Sequence, residues 1–149
     1  MRVRQANIGD TERVLELLEE AHPHSPFASF TDFSRPMWRE RWFHHLAAQS
    51  SLCLVCESSD VVQGIFIGQA TDHPAAPLRI GIEIVKWIDP GHRGPAWPGM
   101  RSWFEAWAIG NGCTLTSLST DGDQRFIRAH SRSGYSPVET HLVKRLLAT

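Results

Sequence analysis

The stretch Trp87–Ala108, WIDPGHRGPAWPGMRSWFEAWA, decides how this chain is read. It begins at the end of an apolar strand, turns at Asp89-Pro90-Gly91, passes Arg93-Gly94 and continues with helical spacing. Strand, turn and helix in that order set free backbone N–H groups and a helix N-terminus beside a fixed Arg. That is a physical recipe for holding a pyrophosphate. The helix is predicted to start after Pro98, a residue suited to a first turn where an N–H has no intrahelical partner. It carries Met100, Trp103, Phe104, Trp107 and Ala108 on one side, and Asn111-Gly112 stops it. Pro95 and Pro98 have no N–H, so the donors expected around the turn are Gly94, Ala96, Trp97 and Gly99.

Upstream lies a long strand, Arg79 to Ile88. Strict alternation places Glu83, Val85 and Trp87 on one face and Ile84, Lys86 and Ile88 on the other. A charge within GIEIVKW must reach an opening or a partner. Leu52–Glu57 and Val61–Ala70 read as strands joined by a hairpin at Ser58-Ser59-Asp60, and residues 71 to 78 form a second turn. Arg2–Ala6 is a first strand, and Asp10 is an N-cap for a helix burying Val14, Leu15, Leu17, Leu18 and Ala21. Residues 23 to 36 form a Phe- and Pro-rich loop before a second helix, Met37–Ala48, with Trp38, Trp42, Phe43 and Leu46 inward. Downstream come a strand at Thr114–Ser119, a helix at Gln124–Ser133 and a last strand at Val138–Leu147. The order β-α-α-β-β-β-α-β-α-β predicts one α/β domain over residues 1–149, a mixed central sheet flanked by helices.

Composition narrows the function classes. The chain has 149 residues, 42% of them hydrophobic, with a formal net charge of -1, so bulk charge gives no sign of a polyanion-binding protein. No apolar run is long enough to span a bilayer, and MRVRQANIGDTE lacks the apolar centre of a signal peptide. Three cysteines, an odd number without framework spacing, predict a cytoplasmic setting. Cys53 and Cys56 form C-x-x-C on a strand, where an offset of three puts them on opposite faces, so they read as core and no metal site is expected. His44 and His45 diverge by about 100 degrees on a helix, which argues against joint chelation. Trp103 and Trp107 read as core, whereas Trp38, Trp42 and Trp97 can wall a pocket. Arg125, Arg128 and Arg132 form a basic stripe, and His22 and His24 flank Pro23 near a candidate pocket.

Over essentially its whole length the chain resembles the GNAT superfamily of N-acetyltransferases, closest to the compact branch often carried by bacteriophages. Val3-Arg4-Gln5-Ala6 with Asp10 resembles that family's first strand and helix. Asp89-Pro90-Gly91-His92-Arg93-Gly94 resembles the end of its fourth strand and its pyrophosphate loop. Trp103 to Ala108 with Asn111-Gly112 resembles its third helix, and RAHSRSGY (Arg128–Tyr135) its closing helix. The resemblance implies a sheet splayed between the fourth and fifth strands, with the pantetheine arm of acetyl-CoA, the co-substrate, in the gap. It also implies transfer of an acetyl or short acyl group to an amine by direct attack in a ternary complex. Arg93, Gly94, Ala96, Trp97 and Gly99 would hold the pyrophosphate, and backbone amides near Trp87 and Ile88 would polarise the thioester carbonyl.

By the same resemblance Glu83 would take the amine proton, against a structural alternative in which it forms a salt bridge with a neighbouring Arg. His130 stands where the family often has a Tyr that protonates the leaving thiolate; its alternative is a half-exposed helix position. The acceptor, a small molecule, a protein or a nucleic-acid base, would enter over residues 27 to 33, and a homodimer is compatible with the fold. Two other readings stay open: a phage-type DNA-base-modifying enzyme on this fold, and a non-catalytic interaction protein that kept the fold without the cofactor.

Overall fold

The computed structural model describes residues 1–147. Five strands form one sheet in the order β1-β2-β3-β4-β5, where β1 is Arg2–Gln5, β2 Ser51–Ser58, β3 Val61–Asp72, β4 Arg79–Ile88 and β5 Leu115–Ser117. The first four are antiparallel neighbours, and β4 and β5 run parallel. Helices α1 (Thr11–Ala21) and α2 (Arg35–Ala47) cover one face. Helix α3 (Arg93–Gly110) covers the other, with α4 (Gln124–Ser131) against it. Ser59 and Asp60 both take positive φ (51° and 61°), the geometry of a two-residue hairpin turn whose twist matches the flanking strands.

The two cores confirm the alternation read for β2. Val14, Leu15, Leu17, Leu18 and Trp42 pack with Cys53, Val55, Ile65 and Ile67. Met100 and Phe104 pack with Leu54, Cys56 and Phe66 on the opposite face. Cys53 and Cys56 therefore sit in different cores. Burial pushes their thiols up to about 12 and about 11.

Several expectations are corrected. Asp10 does not cap α1; its carboxylate takes two bonds of 2.9 Å from Arg4 and one of 2.8 Å from Asn7 N–H. That Arg4 contact holds it below the usual carboxylate range. Asn7 caps the preceding short turn instead, its side chain accepting from Gly9 N–H. Helix α2 starts at Arg35, because Ser34 accepts from Met37 N–H as N-cap and Pro36 fits the first turn. Its inner face holds His45, while Phe43 is 40% exposed. Trp103 is 42% exposed and outside the core, because Met100, Phe104 and Ala108 already occupy the inward stripe of α3. The expected strand Val138–Leu147 is not formed: those residues pair with no strand of the sheet, and Val138 and Leu142 are 89% and 94% exposed.

Alternation in β4 is also broken. Gly68 pairs with Glu83 and Ile67 with Val85, so Ile84 is an extra residue. Ile84, Val85 and Trp87 all pack toward α1 and α2, whereas Ile88 packs toward α3. Lys86 lies over Trp97 of α3 and pairs with Glu83. Glu83 and Trp87 are therefore on opposite faces, contrary to the period-two reading.

His45 gives the fold a pH signature. Its Nδ1 pairs with Ser51 Oγ at 2.8 Å, and its Nε2 is buried without a partner among the described residues. Burial, reinforced by Arg41 and His44, holds its imidazole below the ordinary value of 6.5. The unfolded chain then takes up this proton first, so the His45 contribution is complete above the ordinary histidine value and lost as pH falls below it. In urea unfolding, the wild type should lose more stability than His45→Gln between about pH 7 and about pH 5. Parallel pH curves for the two proteins would contradict this.

Candidate functional site

The site begins where the sheet comes apart. β4 and β5 pair only at Ile80–Leu115, Gly81–Thr116 and Ile82–Ser117. Beyond this the chain after β5 diverges, and Ser119 N–H donates to the Glu83 carboxylate instead of to a β4 carbonyl. Asp89 N–H bonds to Gln63 O on β3 at 2.8 Å. Backbone groups alternate sides along a strand, so those of Trp87 face β3, while those of Lys86 and Ile88 face the gap. The amides aimed into the gap therefore belong to Lys86 and Ile88, and Trp87 contributes its ring.

At the mouth of the gap the chain turns through Pro90–His92 into α3, which begins at Arg93, five residues before the start expected from Pro98. The turn is held by Asp89, which accepts from Gly91 N–H at 3.1 Å and meets His92 Nδ1 at 3.2 Å. These contacts hold the Asp89 carboxyl below its usual range, His92 contributing most. No side chain caps α3. Its first turn offers the N–H groups of Arg93 and Gly94; Pro95 offers none, and the fully buried Ala96 directs its N–H to the N-cap carbonyl of His92. Trp97 and Gly99 lie further in, where an α-helix directs N–H groups to carbonyls four residues back.

The Arg93 side chain turns away from this helix end. Its Nε donates to Ile88 O at 2.9 Å, and its guanidinium lies 4.8 Å from the centre of the Trp87 ring. His24 also stacks on Trp87, with ring centres 5.0 Å apart.

The α3 side of the gap is walled by Lys86, whose Nζ sits 4.5 Å from the ring centres of both Trp97 and Phe126. The same Nζ lies 3.1 Å from Glu83, whose side chain is only 5% exposed. His130 is buried beside them. Its Nδ1 lies 2.8 Å from Phe126 O, a carbonyl that only accepts, so Nδ1 carries the proton. Nε2 then accepts from Trp97 Nε1–H at 2.8 Å. Both nitrogens of a neutral imidazole are thereby engaged, and His130 ties α4 to α3. Tyr135 O–H donates to Glu105 at 2.9 Å and meets Thr116 Oγ1 at 2.9 Å, joining the closing segment to α3 and β5. Among the described residues no His, Cys, Asp or Glu cluster suited to a metal is present. A shallow depression of about 580 Å³ against Arg35, Arg39 and Phe43 lies on α2, apart from the gap.

Sequence reasoning singled out Glu83, Trp87, Ile88, Arg93, Gly94, Ala96, Trp97, Gly99 and His130. The structure puts Glu83, Trp97 and His130 on the α3 side of the gap and Ile88, Arg93 and Gly94 at its mouth, but Trp87 on the opposite face, Ala96 in the core and Gly99 against β1. Phe126, Ser119 and the pairing of Lys86 with Glu83 were missed. Lys86 was visible as a charge in an apolar strand, but its partner depends on the extra residue at Ile84.

No protein-family model matches the chain, and no curated protein matches it in sequence. Solved structures match it in fold. An aminoglycoside antibiotic 6'-N-acetyltransferase from Acinetobacter haemolyticus is 17% identical, covers 100% of both chains and superposes with a TM-score of 0.73. AAC(6')-Iy bound to the bisubstrate analogue CoA-S-monomethyl-acetylneamine is 14% identical, covering 99% of this chain and 98% of its own, with a TM-score of 0.73. A transcriptional regulator from Bacillus halodurans C-125 is 16% identical over 97% of this chain and 99% of its own, at 0.76. At these identities the likeness establishes the fold. The chain has a GNAT-like α/β fold, with its sheet opened between strands four and five.

Proposed function

We propose that this protein transfers an acyl group, most simply acetyl, from acyl-CoA to an amine. The observation carrying this reading is the gap itself: an unpaired β4 edge bearing Lys86 and Ile88 amides runs directly to the uncapped N-terminus of α3. An extended amide-bearing chain such as pantetheine can add to that edge as a strand would. The N–H groups of Arg93 and Gly94 then meet the pyrophosphate. At Gly94 nothing lies within 4 Å of where a Cβ would be, so a ligand can approach the backbone closely. Trp97 lines this side. Gly99 keeps α3 against β1, since a Cβ there would stand 3.2 Å from Val3 Cγ2.

The amine enters from the Trp87 face and attacks the thioester carbonyl carbon. The C–N bond forms, an oxyanion develops against the Ile88 or Lys86 amide, and the C–S bond breaks. Glu83 faces the α3 side and braces the gap through Lys86 and Ser119. On the acceptor face His24 is the imidazole without a hydrogen-bond partner among the described residues, so it, or water, takes the amine proton. The thiolate leaves to solvent without His130, whose nitrogens are both engaged. An NMR titration of the full chain with acetyl-CoA tests the reading: saturable shifts are expected, and their absence would favour a fold kept without its cofactor.

A further inference from the structure

The acceptor side carries unused recognition chemistry. Arg93 is exposed, and with Nε fixed on Ile88 O its two Nη groups have no partner among the described residues. The planar end of the guanidinium is thus held at the end of β4, against the half-buried Trp87 ring. The neighbouring loop, whose His24 stacks on Trp87, is aromatic. Between His22 and Ser34 that loop holds five rings (His22, His24, Phe27, Phe30, Phe33) and one carboxylate, Asp32. The nearby α1 carboxylates Glu12 and Glu19 are neutralised by Arg35 and Arg39. A polycationic amine would meet the Arg93 guanidinium here and little free carboxylate to receive it.

Resting on the acyl-transfer reading, we infer that the acceptor is an aromatic amine bearing a carboxylate, as in an aromatic α-amino acid. Arg93 grips the carboxylate through its Nη pair, and the ring is received by the aromatic loop whose His24 covers Trp87. An end-on guanidinium matches the two oxygens of a carboxylate in one plane, and its stacking on Trp87 orders it beforehand. Because the same Arg93 is tied to Ile88 O, the bound amine stands beside the β4 edge where the thioester carbonyl lies.

The test measures CoA release by the full chain with acetyl-CoA and L-phenylalanine, phenylalaninamide or kanamycin as acceptor. The kcat/KM for L-phenylalanine should exceed those for the amide and for kanamycin by about tenfold or more. In Arg93→Met the ratio of L-phenylalanine to its amide should collapse toward one, mainly through KM. Independently of turnover, N-acetyl-L-phenylalanine should quench tryptophan fluorescence in wild type with CoA present, and less so in Arg93→Met. Preference for kanamycin, an unchanged ratio in Arg93→Met, or acetyl-CoA binding without acetylation of any of the three would overturn this inference and leave the acyl-transfer reading standing. Failure of the wild type to bind acetyl-CoA would overturn both.

Discussion

Glu83→Leu is expected to lower the unfolding free energy by about 3 kcal/mol, the lower end of the roughly 3–5 kcal/mol seen when one partner of a buried ion pair is removed. The lower end applies because Lys86 keeps 19% side-chain exposure and two aromatic faces around its ammonium group. Two contacts are lost together: the pair with Lys86 and the acceptor for Ser119 N–H across the gap. Glu83→Gln keeps an acceptor for Ser119 and should cost about 1 kcal/mol, the scale of one hydrogen bond. Urea unfolding measures both. If Glu83 is a brace, Glu83→Gln should lower turnover by a similar factor at every pH, whereas a general base would be missed most at low pH. A stable Glu83→Leu protein with a low-pH-selective loss in Glu83→Gln would return the base role to this residue.

Phe104→Ala should cost about 3–5 kcal/mol, the range for emptying a large aromatic site in a core. Phe104 is 0% exposed and lies over Gly68 and Gly81. A Cβ at Gly68 would come within 2.8 Å of Phe104 Cε2, so the ring presses on the β3 backbone where the bulge begins. It also meets the Phe66 ring at a tilt of 54°, with ring centres 4.8 Å apart. The cavity left by Ala opens at Gly68, the β3 partner of Glu83, so reduced acetyl-CoA affinity should accompany the loss of stability. A loss under about 1 kcal/mol would mean the site collapses without strain, contrary to the rigid packing described.

Much of this arrangement is legible in the residues. Arg79–Ile88 matches β4 end for end, because an apolar run bounded by turn residues leaves little choice of boundary. The halt of α3 at Asn111-Gly112 is equally local: Gly112 takes φ of 78°, which glycine adopts without strain. Errors arise where tertiary contacts decide. Asp10 has the chemistry of an N-cap, yet Arg4, brought beside it by β1, takes both carboxylate oxygens. Pro98 looks like a helix start, yet α3 runs through it, at the loss of one N–H bond to Gly94 O. The face of Glu83 depends on one extra residue at Ile84, which no period-two pattern contains. His130 was placed by the resemblance of RAHSRSGY to a closing helix, but its role turns on Trp97, which is 33 residues away.

The central claim is that acyl-CoA lies along the unpaired edge of β4 and ends on the first turn of α3. An amide-resolved NMR titration of the full chain with acetyl-CoA tests it most directly. The account predicts that the N–H signals of Lys86, Ile88, Arg93 and Gly94 shift together with one saturation curve and become protected from hydrogen exchange, while those on the α2 surface near Arg39 stay in place. Saturable binding that moves the α2 surface and leaves Lys86 and Ile88 unchanged would contradict it.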